Sequence, residues 1–356
     1  MATGRGRRGV LAACRRSARK HRPWLRPSNT VHPFTAGTTQ MAWHIALTVA
    51  GLVFLFLGGE GLVRGSVAIA DRFMISKAIV GMVIVGFGTS TPELLVSVDA
   101  ALAGVPDISI GNVVGSNIAN ILLIMGLAAL IAPMANTDKT IRRDAVLMTA
   151  ISAALLPFLF QGELARWHGV VLLIALVLYL LYSLRLAQQQ RVSAYSGEVE
   201  VVEDIPLSTP TAVLVAIAGL ALLVSGAHLL VEGATSLART FGVSEAVIGL
   251  TIVAVGTSLP ELATSVMAAL RRQSEVALAN VIGSNIFNIL AILGLTAIIV
   301  PVPVASGFIT FDAPLMVLIA GLMLVVVIAT ATIGRSIGIA FLTIYAAYLA
   351  AQGIQS

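Results

Sequence analysis

GFGTSTPELLVS at residues 86–97 and AVGTSLPELATS at 254–265 are two versions of one sentence, and each interrupts a long apolar run. Pro92 and Pro260 lack the N–H that a continuous helix needs and clash with the preceding turn, so each run predicts a helix broken at that point. The break puts backbone carbonyls around Gly86 to Thr89, and at the matching place from Ala254 to Thr257, out of helical register. In a bilayer, unpaired carbonyls are tolerated only where protein buries them or where they line a watery cavity. Pro92 suits the first turn of a new half-helix, with Ser90 or Thr91 as its cap. Glu93 and Glu261 then fall in that first turn, where the helix dipole favours an ionised carboxylate.

The surroundings explain why bilayer depth is the right setting. The chain is 58% hydrophobic and 11% charged, with a mean hydropathy of +0.96. A water-soluble domain carries about a quarter charged residues. Residues 43 to 352 divide into ten apolar stretches, near 43–70, 78–103, 109–132, 143–161, 167–188, 211–238, 246–270, 275–300, 311–332 and 335–352. Most approach the roughly 20 residues that a spanning helix needs. The expected fold class is all-α, a polytopic membrane protein. A carboxylate inside such a span is costly unless paired or coordinated, so Glu93 and Glu261 are site candidates by default. A glutamate held only by a neighbouring helix is the plainer explanation of one such residue. Two at matching places argue for the site.

The match extends well beyond the two prolines. Pairing residue n with n + 168 aligns 78–127 with 246–295 without a gap, and about half of the positions are identical. Five apolar stretches in each half is an odd number, so the second copy enters the bilayer from the opposite side. The expected architecture is ten transmembrane helices as two inverted five-helix repeats, 41–188 and 210–356, joined by a polar linker at 189–209. Inverted repeats place substrate at their interface near the midplane. Lys and Arg in the short loops give orientation. With the residue before the first span outside, the inside loops hold Arg72, Lys77, Lys139, Arg142, Arg143, Arg185, Arg191, Arg271, Arg272 and Arg335, against Arg166 and Arg239 outside. Both ends of the body are therefore expected on the exterior side, with the linker in the cytoplasm.

The third stretch of each half supplies neutral oxygens: NVVGSNIAN at 112–120 and NVIGSNIFN at 280–288. Ser116 and Asn120 are four apart and share a helix face, as do Ser284 and Asn288. Gly115 and Gly283 allow close helix approach, which membrane packing alone would also explain. Two carboxylates beside amide and hydroxyl oxygens make a hard-oxygen site suited to Ca2+ and Na+.

These paired motifs resemble the two alpha repeats of the cation/calcium antiporter superfamily, and especially its bacterial and archaeal sodium/calcium exchangers. The resemblance spans the body from Met41 onward. It implies a central diamond-shaped site in which Glu93 and Glu261 are the principal Ca2+ carboxylates and the Thr89 and Thr257 carbonyls complete the shell. Ser90, Ser116, Ser258 and Ser284, with the carbonyls of Gly86 and Ala254, match positions that supply flanking Na+ oxygens. Asn120 and Asn288 match the central polar pair, although some family members carry aspartate at the position of Asn288. Spans one and six, where Gly61 and Gly65 align with Leu229 and Gly233, correspond to the mobile gating bundle. The function implied is secondary antiport of Ca2+ against Na+ across a bacterial inner membrane, without cofactor or nucleotide. A Ca2+/H+ exchanger using the same glutamates is the alternative. An intramembrane hydrolase would need a histidine cluster or a Ser–His pair beside the glutamates, and neither repeat has one.

Other polar residues are assigned smaller parts. Asp99 aligns with Met267 and reads as a rim residue; Glu60 and His228 are repeat-related candidates for the ion or proton path; Asp312 reads as interfacial. Residues 1–40 carry nine of the 22 basic residues, no acid and the sole cysteine, Cys14, leaving 13 basic against 17 acidic residues in the body. The basic excess therefore says nothing about nucleic acid. Nine positive charges before an exterior terminus oppose the loop bias, so this leader is expected to be disordered or absent from the native protein. Intact-mass spectrometry of protein made from the native gene should then give an N-terminus near Met41, and a full-length leader would refute that reading.

Overall fold

A computed structural model describes residues 33–196, 207–243 and 254–355. The chain divides into Met1–Ala42, of which only a helical segment from Pro33 is described, and Trp43–Ser356, which holds the features that follow. The described residues are helical almost throughout. In order they form α1 (Pro33–Phe73), α2 (Lys77–Thr89), α3 (Thr91–Leu102), α4 (Pro106–Ile131), α5 (Lys139–Leu159), α6 (Arg166–Ser196) and α7 (Thr209–Thr240). A short turn α8 (Ala254–Gly256) precedes α9 (Leu259–Leu270), α10 (Ser274–Ile299), α11 (Phe308–Ala329) and α12 (Arg335–Gln355). Among the described residues six helices are long and apolar enough to cross a membrane, and α2 with α3 makes a seventh if the bent pair is one span. The expected spans at 143–161 and 335–352 are helices, and the start of that at 246–270 lies outside the described residues. Helix α6 runs to Ser196, eight residues into the stretch read as linker, and α1 begins before Met41.

Local chemistry sets the boundaries. Ser76 caps α2 by accepting from the Ala78 N–H, and Asp138 caps α5 by accepting from the Thr140 N–H. Gly104, with φ of +75°, closes α3 just before Pro106 opens α4, a left-handed stop followed by a residue preset for a first turn. The equivalent stop after α9 is Arg272, held at φ of +58°.

The repeat read in the sequence recurs in the coordinates: α3 and α9, and α4 and α10, begin and end at positions 168 apart. Both α4 and α10 widen into a π-helical turn at the same place, Asn120–Met125 and Asn288–Leu293. Of the six candidate spans these are the most enclosed, with 72% and 83% of an 18-residue apolar stretch buried, against 17% for α1 and α6. Two short antiparallel pairings tie the halves together, Met134–Ala135 with Thr332–Ile333 and Glu163–Leu164 with Val302–Pro303. Large apolar side chains such as Leu52 and Phe56 on α1, Leu178 on α6 and Leu318 on α11 face outward. Outward apolar faces of this extent belong in lipid, and the chain is an integral membrane protein.

Helices α1 and α7 run antiparallel along a seam of glycines. Gly51, Gly58 and Gly65 are seven apart and face α7, whose Gly219, Gly226 and Gly233 have the same spacing and face α1. A Cβ at Gly219 would lie 2.4 Å from the Leu62 nitrogen, and one at Gly51 would lie 2.5 Å from the Leu230 nitrogen. The backbones therefore touch, as small residues permit in membranes. Gly219→Ala is expected to lower the melting temperature of detergent-solubilised protein, at a cost of about 1–3 kcal/mol for overpacking. Gly321→Ala in α11, where nothing among the described residues lies within 4 Å of an added Cβ, should leave it unchanged or raise it, because alanine is the better helix former. Equal melting of the two variants would contradict the seam.

Candidate functional site

The broken helix forms as its proline requires. Between α2 and α3 the axis bends by 41°, with Ser90 at φ −82° and ψ 7° between them. Ser90, one of the two residues expected to cap α3, stands at the N-cap position but makes no capping bond through its side chain. Its hydroxyl crosses to the other half and donates to Oε1 of Glu261 at 2.9 Å. Ser258, at the related break before α9, donates to Oε1 of Glu93 at 3.2 Å and lies 3.4 Å from the Ser116 hydroxyl. Each break thus holds the other half's carboxylate.

Both carboxylates are 1% exposed, and Thr89, Ser90, Ser116, Asn120, Ser258, Ser284 and Asn288 are buried around them. The two bonds to Glu93 and Glu261 occupy one oxygen of each. Among the described residues, Glu93 Oε2 and Glu261 Oε2 have no hydrogen-bond partner, and neither do Asn120 Oδ1 and Asn288 Oδ1. Four buried acceptor oxygens, two of them on carboxylates, lack any donor. Buried acceptors normally find one, and an acceptor-only carboxylate oxygen without a donor has a cation as its natural complement. Among the described residues no Lys or Arg pairs with either glutamate.

The remaining candidates have defined places. The Gly86 carbonyl accepts from the Ser90 N–H and from the Ser284 hydroxyl, each at 3.3 Å, so it keeps partners that the proline was expected to remove. Proline deletes only its own N–H, so the Gly86 carbonyl keeps its helical bond to Ser90, and a hydroxyl from the other half adds a second. Thr89 bonds through its side chain to the Val85 carbonyl at 3.0 Å and to Asn280 Oδ1 at 3.3 Å. Ala254 opens the turn α8 and Thr257 follows it, with a buried hydroxyl lacking a partner. Gly283 meets the Met82 backbone at 2.7 Å for an added Cβ, as close approach predicts. Nothing among the described residues lies within 4 Å of Gly115, and the repeat counterpart of Met82, at 250, is outside them.

The model of the family described as sodium/calcium exchanger protein matches twice, over residues 43–185 and 211–353. The chain belongs to this family. It is a family of transporters, not enzymes, and its two matched segments coincide with the two halves that exchange serines across the site. The exchanger is 38% identical to the inner membrane protein YrbG of Escherichia coli strain K12, over 72% of this chain and 80% of that one. It is 33% identical to the sodium/calcium exchanger MaX1 of Methanosarcina acetivorans, over 85% of this chain and 96% of that one. A solved structure of the sodium-calcium exchanger NCX_Mj, soaked with 10 mM Na+ and zero Ca2+, superposes with a TM-score of 0.75 at 32% identity, covering 87% of this chain and 99% of that one.

The residues given smaller parts lie elsewhere. Glu60 of the exchanger is held by both Nε and Nη2 of Arg271, at 2.7 and 2.6 Å, in an ion pair that joins α1 to the end of α9. His228 is largely exposed beside Glu232, and Asp99 is exposed near the end of α3. Asp312 is buried and accepts from Tyr348 and Gln352, and a π-helical turn from Phe308 carries α11 past it. Residues without an assigned part in the sequence prove central. Asn112 Nδ2 donates to the Glu93 carbonyl at 3.0 Å and to Ser97 at 2.9 Å, and Asn280 repeats both bonds with the Glu261 carbonyl and Ser265. Their signal was available, since all four positions are identical between the repeats.

Proposed function

We propose that this exchanger moves Ca2+ against Na+ across the inner membrane by alternating access to one site between two inverted five-helix repeats, ten helices in all. The halves are 41–188 and 210–356, the linker 189–209 is cytoplasmic, and both ends of the body are outside. Inversion is supported by the antiparallel course of the repeat-related helices α1 and α7. The observation that carries the functional reading is the set of four buried oxygens without donors, on Glu93, Glu261, Asn120 and Asn288. The two carboxylates supply −2, which balances one Ca2+, and the amide oxygens add neutral ligands of the type that Ca2+ prefers. The carbonyls of Thr89 and Thr257 complete the Ca2+ shell.

Na+ uses the flanking oxygens of Ser90, Ser116, Ser258 and Ser284 and the carbonyls of Gly86 and Ala254. A serine hydroxyl that donates to a carboxylate also carries two lone pairs and rotates freely, so Ser90 and Ser258 turn an oxygen to a cation when one arrives. Because Na+ and Ca2+ share the glutamates, one displaces the other. An empty site leaves two uncompensated charges buried, which costs several kcal/mol per ion. That cost suppresses the switch of the unloaded site between the two sides, and transport becomes obligatory exchange. The relatives named for sodium/calcium exchange support this choice of ions.

Ca2+ uptake into inside-out vesicles should follow an imposed Na+ gradient and persist with a protonophore at clamped potential. Uptake that follows only a pH gradient would assign the site to Ca2+/H+ exchange. Glu93→Gln and Glu261→Gln should each reduce Na+-driven flux below about a tenth of the unmodified rate, since one remaining carboxylate leaves the divalent charge uncompensated. Flux above that level in either variant would remove the glutamates from the assigned role.

The same charge count bears on potassium. Aspartate in place of Asn288 would give three fixed charges and room for a further monovalent cation; asparagine leaves two. Na+-driven Ca2+ flux in proteoliposomes should therefore be unchanged when K+ is replaced by choline at constant membrane potential. A several-fold loss would overturn the count.

A further inference from the structure

Asparagine can face a cation with its oxygen or repel it with its NH2, and the two faces have nearly the same shape. Asn120 and Asn288 must be turned the right way for the site to exist. The structure contains a chain of bonds that decides this, and it starts from groups with only one polarity. The backbone carbonyl of Asn117 can only accept, and so can the Met148 thioether. The Asn285 amide places its NH2 on both, at 3.3 Å from Asn117 O and 3.5 Å from Met148 Sδ. Its Oδ1 therefore points the other way, where it accepts from Asn120 Nδ2 at 3.0 Å. Asn120 has then spent its NH2 outside the site, and its Oδ1 is the free buried acceptor.

The other half repeats the chain. Asn117 Nδ2 donates to the Asn285 carbonyl at 3.3 Å and to Met316 Sδ at 3.6 Å, and Asn117 Oδ1 accepts from Asn288 Nδ2 at 3.0 Å. Asn288 Oδ1 is left free. Asn117 and Asn285 are each 1% exposed, so no solvent competes for these bonds.

We propose that Asn117 and Asn285 are positioning residues for transport: each locks the central asparagine of the opposite half with its carbonyl oxygen toward the ion. The inference rests on the reading of Glu93, Glu261, Asn120 and Asn288 as the Ca2+ site. It deepens that reading by assigning the polarity of the amide ligands to a pair that need not touch the ion. Because each lock crosses between the halves, the ligand geometry also depends on α4 and α10 staying in register with one another.

The test is equilibrium binding of radiolabelled Ca2+ to the purified full chain in Na+-free detergent buffer. Asn285→Leu keeps the branched shape of the side chain and removes its polarity, freeing the Asn120 amide to turn. Ca2+ affinity should fall about ten- to a hundredfold, the equivalent of one charge-assisted contact. In an Asn120→Asp background the same substitution should change affinity less than about twofold, because a carboxylate offers an oxygen in either orientation. Distant or purely structural effects would instead add equally in both backgrounds. An equal loss in both, or no loss in either, overturns the proposal.

Should Asn285→Leu not fold, the mirror variant Asn117→Leu in Asn288 and Asn288→Asp backgrounds gives the same comparison. Carbon-13 NMR of asparagine-labelled unmodified protein reads the wild-type site directly. The Asn120 and Asn288 side-chain carbonyl signals should shift on titration with Ca2+ while their NH2 protons stay slow to exchange, and unmoved carbonyl signals overturn the proposal. Binding is read without a Na+ gradient, so a chain that binds Ca2+ through this lock but fails to couple it to Na+ refutes the exchange reading and leaves the inference standing. An unmodified chain that binds no Ca2+ refutes both.

Discussion

Two glutamates buried at 1% exposure, with no cationic side chain to meet them among the described residues, are the constraint around which the molecule is arranged. A buried carboxylate needs a counter-charge, and when the protein withholds one the counter-charge must come from solution. The surrounding polar groups are consistent with that arrangement. Serines satisfy one oxygen of each glutamate, asparagines hold the backbone behind them, and the second oxygen of each is left without a donor. A side chain that finished the bonding would stabilise the protein and close the site.

Reciprocity between the halves is the means by which so polar a centre is built inside an apolar bundle. Two serines, four amides and both short strand pairs reach the other half, and the partners exchange roles: Ser90 with Glu261 and Ser258 with Glu93, Asn120 with Asn285 and Asn288 with Asn117. Such isologous contacts make one geometry serve twice. The glycine seam between α1 and α7 obeys the same rule, with three glycines from each helix at matching positions.

The halves also diverge in informative places. Glu60 is bound by Arg271, but the repeat counterparts of that pair are His228 and Ala103, which cannot reproduce it. Arg272 takes the left-handed backbone that Gly104 supplies in the first half, where an arginine is less comfortable. Both differences lie at the α9–α10 turn, on the side that the loop charges assign to the cytoplasm. Duplication has kept the centre alike and let this rim drift.

Much of this was legible in the sequence. Hydropathy, the offset of 168 and two prolines beside glutamates were enough to place the broken helices, the paired glutamates and the serine and asparagine faces, because those signals are local or repeat in register. The direction of the individual bonds was not legible. Ser90 reads as a cap by its position before Pro92, yet its hydroxyl serves Glu261, 171 residues away. The Gly86 carbonyl reads as freed by the proline, yet it keeps the Ser90 N–H and accepts from Ser284 as well. Glu60 reads as a repeat-related polar residue, and only the fold shows that Arg271, 211 residues away, is its partner. Asn117 and Asn285 stand in the motifs without any mark that sets them apart from other helix-face amides. Sequence determines which donors and acceptors lie on which helix face. Which of them meet, and which oxygens remain free for an ion, is decided only when the two halves cross, because the side-chain bonds to Glu93, Glu261, Asn120 and Asn288 span from one half to the other.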